Sequence, residues 1–461
     1  MLSRDKKDLD SAIAYQEAAV DLCPHDGRGR APPMSDLAFL LGARYERWGD
    51  ASDLERAIAM NRNALDLRPD GHPERSMSMN NTANCLLTRY KREGNLEDLD
   101  EAIALHRAAL DLHPDGHPER STSLNNVAEC LSARYKREGK LGDLEEAIAL
   151  HRIALDLRPD GHIERSASLN NTAGCLFMRY EREGKREDLE EAIALSRASL
   201  NLHPDGRPDR STSLNNTANC LVARYKREGK LKDLEEAIAL HRMVLDLRPD
   251  GHPDRSTSLN NTAGCLFTRF EREGKPEDLD EAIAMYRAAL DLHPDGHPNR
   301  STYLSNTANC LLRRYEHKGK PDDLEEAIAL YRTALDLRPN GHPARSMPLS
   351  NTANCLFVRF RLEGKVEDLE EAISLHRIAL GLRPDGHPER STSLNNVAGC
   401  LFKRYERGGK LGDLEEAIAL HRAALDLRPD GHPGRPMSLS NTAICLLTEY
   451  TLEGKIGRAH V

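Results

Sequence analysis

Nine cysteines stand at one phase of a fixed period: Cys85, Cys130, Cys175, Cys220, Cys265, Cys310, Cys355, Cys400 and Cys445. A tenth, Cys23, lies outside the series. So many thiols invite a disulfide or metal reading, but their spacing argues against both. Cysteines one repeat apart fall on equivalent elements. If those are helices, their axes come no closer than about 8–10 Å, while a disulfide needs Cα atoms within about 7 Å. No Cys-x-x-Cys pair occurs. The thiols are expected to be reduced and packed in a core, as suits a reducing compartment.

The histidines form two further series, His72, His117, His162 and His252, and His106, His151, His241 and His376. Zinc needs about four ligands converging on one point, whereas one histidine per repeat makes a line. No metal is expected, and the first series should bond the backbone at a turn. Gly139-Lys140, Gly184-Lys185 and Gly229-Lys230 lack the following Ser or Thr and the preceding strand of a phosphate loop, so each glycine reads as a helix stop. Acid pairs such as Glu145-Glu146 fall where a helix dipole favours negative charge. No Ser-His-Asp or Cys-His set can be placed, because each candidate recurs in every copy. The expectation is no catalytic residue and no cofactor in this chain.

Asparagine behaves differently. Asn81, Asn126, Asn171, Asn216, Asn261, Asn306, Asn351, Asn396 and Asn441 hold one phase, and Asn80, Asn125, Asn170, Asn215, Asn260 and Asn395 the one before it. Asparagine inside a helix is unfavourable by several tenths of a kcal/mol, so something offsets it. A hydrogen-bond ladder between neighbouring helices is one account, and binding of a partner is the other. The nearby position 84 varies between copies as Asn84, Glu129, Gly174, Asn219, Gly264, Asn309, Asn354, Gly399 and Ile444. Invariant positions suit architecture, and varying ones suit selectivity. Asn80, Asn170, Asn215 and Asn260 also begin Asn-x-Thr, but inside a predicted helix they do not read as glycosylation acceptors.

These residues are carried by one repeating stretch, residues 73–117. Pro69, Pro114, Pro159, Pro204, Pro249, Pro294, Pro339, Pro384 and Pro429 recur without insertion or deletion, a period characteristic of a solenoid or a propeller. Met79, Ala83, Leu86, Leu87 and Tyr90 line one face of a helix of roughly 20 residues. Pro73 is expected at its first position, Glu74 in its first turn and Gly94 at its stop. A second helix is expected to start at Asp98 as N-cap, with Glu101 completing an acidic capping box. It carries Leu99, Ala102, Ile103, Leu105, Ala109, Leu110 and Leu112, too many apolar residues for one stripe, so two faces should be buried. Pro114-Asp115-Gly116 ends it. Nothing alternates with period two, which excludes a propeller of strands.

The fold class is therefore all-α: a solenoid of antiparallel helix pairs, here called A and B. Nine pairs are expected, with an unpaired B helix before them and an unpaired A helix after them. Charged residues make up 30% of the 461 and the net charge is −9, which argues against a nucleic-acid partner. No apolar run is long enough to span a bilayer, and the first residues have no apolar segment of a secretory signal. A cytosolic or nuclear setting is the expectation.

The unit resembles the tetratricopeptide repeat over about residues 8–455. Ala83 sits at the small position of helix A and Leu86 at the bulky one after it. Ala102 and Ala109 match the two alanines of helix B, and Pro114 the closing proline. Met79 and Thr82 depart from the usual aromatic and leucine, and the unit is longer than the common one. Leu-Asn-Asn with an upstream His-Pro is similar to the long repeats of kinesin light chains. The full unit is similar to arrays in fungal and bacterial proteins that end in a caspase-like CHAT peptidase domain. The resemblance implies a right-handed superhelix whose A helices line a concave groove for a protein or peptide partner. Asn80, Asn84, Asn125, Glu129, Asn170, Asn215, Asn219, Asn260, Asn309, Asn354 and Asn395 would then face that partner. It also implies an alternative, a sensor arm for a peptidase outside this chain. Residues 1–455 are read as the array. Residues 456–461, Ile-Gly-Arg-Ala-His-Val, break the repeat text and resemble a translated sequencing-adapter end, so they are expected to be non-native.

Overall fold

Two helices per period are what the apolar pattern requires, and the fold supplies them. The computed structural model describes residues 2–24, 27–202, 210–293, 300–338, 345–387, 389–429 and 434–459. Among the described residues every regular element is helical. The A helices are α2 (Ala31–Trp48), α4 (Arg75–Glu93), α6 (Arg120–Glu138), α8 (Arg165–Glu183), α10 (Arg210–Glu228), α12 (Arg255–Glu273), α14 (Arg300–Lys318), α16 (Ser346–Glu363), α18 (Arg390–Gly408) and α20 (Arg435–Ala459). The B helices are α1 (Leu2–Leu22), α3 (Ala51–Asp66), α5 (Leu96–Asp111), α7 (Leu141–Asp156), α9 (Arg186–Leu202), α11 (Leu231–Leu247), α13 (Pro276–Asp291), α15 (Pro321–Asp336), α17 (Val366–Gly381) and α19 (Leu411–Asp426). α2, α4, α6 and α8 in the first unit, and α14, α16 and α18 in the second, each pack most extensively on the B helix that follows, then on the B helix before. The chain divides into two compact units, residues 1–240 and 241–461.

The first unit is built around a column of small and bulky side chains. Ala83, Leu86, Ala128, Leu131, Leu176 and Leu221 from A helices meet Leu99, Ala102, Leu144 and Ala147 from B helices, all fully or almost fully enclosed. Alanine at the closest approach lets the helices come together, and leucine fills the remaining space. In the second unit the same phases are held by Ala263, Leu266, Ala308 and Leu311, against Leu279, Ala282, Leu324 and Ala327.

Gly94 and Gly139 stop their helices as expected. Both adopt a left-handed conformation (φ 75° and 70°), and their N–H groups reach the carbonyls of Tyr90 and Tyr135 at 2.7 Å. The helix starts differ from expectation. Pro73 is not the first helical residue and Glu74 is not in the first turn. The chain between His72 and Arg75 closes a turn through Arg75 N–H to His72 O (3.1 Å), and α4 begins at Arg75 with Glu74 as its N-cap. Asp98 is not an N-cap either. That place belongs to Asn95, whose side chain accepts from Glu97 N–H at 3.0 Å. Asp98 lies inside the first turn, buried, and takes both Nε and Nη2 of Arg89 at 2.8 and 2.6 Å. Glu101 forms no capping box. It accepts Arg62 of the preceding B helix at 2.6 Å.

Both of these contacts recur. Arg44, Arg89, Arg134, Arg179 and Arg224 each clamp a buried aspartate of their own B helix (Asp53, Asp98, Asp143, Asp188, Asp233) in the first unit. Arg269, Arg314, Arg359 and Arg404 do so in the second. The B-to-B contact is repeated by Arg107–Glu146, Arg152–Glu191 and Arg332–Glu371, with side chains roughly half exposed. Such exposed pairs are worth about 0–1 kcal/mol each.

Candidate binding face

The A helices bury one face on B helices and leave another open, and the open face carries the positions that vary between copies. In the first unit Asn84 borders a cavity of about 250 Å³ with Phe39, Asn61 and Asn81. A second cleft, about 560 Å³, lies between α6 and α8 and is bordered by Lys91, Glu129, Lys136, Asn170 and Gly174. A third, about 550 Å³, is bordered by Phe177, Tyr180, Glu181, Asn219 and Lys226. In the second unit Phe267, Glu271, Asn309, Arg313, Glu316 and Asn354 border a cleft of about 430 Å³. The rims are mixed in sign: Lys91 pairs with Glu129 at 2.8 Å, and Arg313 with Glu316 at 2.8 Å.

The predicted residues fall into two groups. Asn84 and Glu129 are exposed, and Asn219, Asn309 and Asn354 are half-buried at cleft walls. The neighbouring series turns inward. Asn125, Asn170 and Asn395 are more than nine-tenths buried, and each donates from Nδ2 to a serine of the next A helix: Ser168 (3.1 Å), Ser213 (2.9 Å) and Ser438 (2.9 Å). Asn80, Asn215 and Asn260 are half-buried. Asn260 Oδ1 accepts from Asn306 at 3.0 Å. The ladder between A helices that offsets mid-helix asparagine is thus present, and it occupies most of the inner series.

The floor of the face was not foreseen. It comes from B helices, at the phase of Asn61, His106, His151, Ser196, Tyr286, Tyr331 and His421. His106, His151 and His421 are buried, and their Nδ1 atoms lie 2.8, 2.7 and 2.7 Å from the Oδ1 atoms of Asn80, Asn125 and Asn395. Burial pushes all three down to about 4, so they are neutral at pH 7. Where tyrosine replaces histidine it reaches further: Tyr331 Oη donates to Asn309 Oδ1, which also accepts Asn351 Nδ2 at 3.2 Å. In sequence this phase shows only as a polar position that varies between copies, with nothing to say that it reaches the open face.

The loop histidines bond the turn as expected. His72, His117, His162 and His252 accept at Nδ1 from the N–H two residues on, each at 3.1 Å. Among the described residues no three His, Cys, Asp or Glu side chains converge as a metal site would require, and no helix is long and apolar enough to cross a membrane. The threonines of the Asn-x-Thr triplets, Thr82, Thr172 and Thr217, are buried and donate back to the carbonyls of Ser78, Ser168 and Ser213 at 2.8 Å.

Among the described residues no cysteine forms a disulfide, and eight of the periodic nine are buried. Burial pushes Cys130, Cys220, Cys355 and Cys400 up to about 12. The thiolate is the reactive form. Ellman's reagent at pH 8 is therefore expected to modify half-buried Cys23 first, with these four at least about a hundredfold slower until urea is added. Equal rates for all thiols would contradict this packing.

The tetratricopeptide repeat profile matches residues 75–119, 120–164, 210–254, 349–389 and 390–434, and a second profile of the same description matches 271–342. The chain belongs to the tetratricopeptide repeat family. No curated protein matches it in sequence. Among solved structures, human IFIT1 in a dimer with PPP-AAAA is similar in fold, at 13% identity and TM-score 0.51, covering 94% of this chain and 93% of its own. A putative kinesin light chain of Podosopora anserina with nearly identical TPR-like repeats matches at 19% identity and TM-score 0.36, over 49% of this chain and 97% of its own. YrrB, a TPR protein with an unusual peptide-binding site, matches at 20% identity and TM-score 0.30, over 47% of this chain and 90% of its own.

Proposed function

We propose that the chain is a protein-interaction scaffold whose open A-helix face holds an extended segment of a partner polypeptide. One observation carries this reading: the invariant phases are consumed by packing, whereas the phase of Asn84, Glu129, Asn219, Asn309 and Asn354 varies and borders open clefts. Side-chain amides at such clefts suit main-chain N–H and C=O groups, which every extended peptide presents. Adjacent A helices are spaced about 10 Å apart and an extended chain rises about 3.3 Å per residue, so about three partner residues span each repeat.

The test is selection of a random twelve-residue peptide library on the protein, followed by anisotropy with the enriched peptides. Replacing Asn219 or Asn309 with leucine is expected to weaken the peptides bound at that unit about five- to tenfold, the worth of one lost hydrogen bond with a desolvated partner. Arg152→Ala and Arg332→Ala, on the B-helix side, should leave affinity unchanged. Peptides sensitive to the arginine changes and indifferent to the asparagine changes would place binding elsewhere.

A further inference from the structure

The hydrogen-bond pattern of the floor breaks at His241, at Ser350 with His376, and at Asn170 with Ser196; of these, Asn170 borders one of the clefts described above. Asn170 occupies the place of Asn80, Asn125 and Asn395, whose Oδ1 atoms each face a histidine of the same repeat. In its repeat that histidine is replaced by Ser196, which is too short to reach. Asn170 Oδ1 and Ser196 Oγ are both buried and both without a hydrogen-bond partner. Buried polar atoms are rarely left unpaired. Asn170 is only 8% exposed, yet it borders the cleft between α6 and α8.

The same cleft holds a second acceptor. His151 borders it. Asn125 uses its Nδ2 on Ser168, so its Oδ1 is the acceptor and His151 Nδ1 must carry the proton. The lone pair of neutral His151 is therefore on Nε2. The mouth is widened by Gly174, where other copies have Asn84, Asn219, Asn309 or Asn354. A Cβ at Gly174 would meet nothing within 4 Å. On the rim Lys91 is paired with Glu129, and Lys136 forms no ion pair among the described residues.

We infer that this cleft is a selectivity pocket for a primary carboxamide, a glutamine or asparagine side chain of the partner polypeptide. The inference rests on the scaffold reading above. A carboxamide brings two N–H donors to a floor of acceptors and a carbonyl to Lys136. A carboxylate has no proton to offer the floor. A lysine or arginine would approach an unpaired cation on the rim. The competing account of the two unpaired atoms is a single buried water between them.

The test again uses the random peptide library on the full chain, with three substitutions. Gly174→Asn and Asn170→Ser adopt residues found at the same phases in other copies, such as Asn219 and Ser350. Ser196→His adopts the residue of His106 and His151. Each is thus expected to be compatible with the fold, which thermal melts check. Enriched peptides are expected to share one glutamine or asparagine. Changing that residue to glutamate, or introducing Gly174→Asn, Asn170→Ser or Ser196→His, should each weaken binding about tenfold or more. Peptides that bind these variants as tightly as wild type while responding to Asn219→Leu would overturn the pocket and leave the scaffold reading standing. Recovery of no peptide would overturn both. Binding of a ten-nucleotide single-stranded RNA that Ser196→His abolishes would show a nucleic-acid occupant and overturn the assignment to a polypeptide.

Discussion

Replacing Asp143 with alanine is expected to destabilise the first unit by about 3 kcal/mol. Asp143 is buried in the first turn of α7 and holds Arg134 of α6 by two parallel bonds, Nε to Oδ2 and Nη2 to Oδ1, both 2.8 Å. Removing the aspartate leaves the guanidinium with Asp100, at 3.1 Å and largely in solvent. Breaking a buried pair leaves an uncompensated charge and typically costs about 3–5 kcal/mol. Arg134 keeps about a fifth of its surface exposed, which places the expectation at the lower end. Glu146→Ala, which removes one half-exposed pair with Arg107, should cost less than about 1 kcal/mol. Repeat arrays unfold locally, so the measurement is amide exchange over α6 and α7 beside a urea titration of the whole chain. Similar losses for the two variants would refute the distinction.

The pH dependence of that loss has a definite sign. The Arg134 guanidinium hydrogen-bonded to Asp143 holds the carboxyl below its usual range. A carboxyl depressed on folding contributes stability that is fully present above its unfolded value near 3.8 and is lost as pH falls through the folded value. The gap between wild type and Asp143→Ala should therefore be constant from neutral pH down to about pH 5 and narrow below about pH 4.

This arginine–aspartate clamp marks the boundary of what the sequence made legible. The helix count, the stops at Gly94 and Gly139, the Ala/Leu/Cys core and the turn-bonding histidines all follow from local patterns repeated many times, and repetition averages out the ambiguity of any one copy. Asp98 reads as an N-cap because capping is the local use of an aspartate before an apolar run. Its actual partner, Arg89, lies on the other helix of the pair. The asparagine ladder was legible as a need, since mid-helix asparagine must be offset, but its direction was not. Two adjacent series, Asn80 and Asn81, differ by 100° around a helix, and only the crossing of neighbouring A helices turns Asn125 and Asn170 inward while leaving Asn84 out. The floor residues were hidden for a related reason. His106 and His151 sit on the B helix, and nothing in the helix's own pattern says that its side chains pass between two A helices to the open face.

Ser196→His is expected to stabilise the chain by about 1–2 kcal/mol, the worth of satisfying buried polar atoms that now have no partner. The substitution restores the arrangement of His106, His151 and His421, whose Nδ1 atoms lie 2.7–2.8 Å from an asparagine Oδ1. At Asn170 that oxygen is empty, as is Ser196 Oγ. The gain should depend on pH. Histidines at this phase are pushed down to about 4 by burial, below the unfolded value of 6.5. The stabilisation is then fully present above pH 6.5 and declines as pH falls towards 4, because the unfolded chain takes up the proton first. Urea midpoints at pH 7.5 and pH 5 measure both statements, and a variant less stable than wild type at pH 7.5 would show that the space beneath Asn170 is already filled. A gain in stability would also bear on the carboxamide pocket. The other B helices carry a larger side chain at this phase, although Ser350 with His376 also leaves two buried atoms unpaired; Ser196 is distinguished by its unpaired neighbour Asn170, which borders an open cleft. Functional sites are where such local inconsistency is expected. A variant that melts later but no longer binds the glutamine- or asparagine-bearing peptides would show that the missing hydrogen bonds of the free protein are the ones its partner supplies.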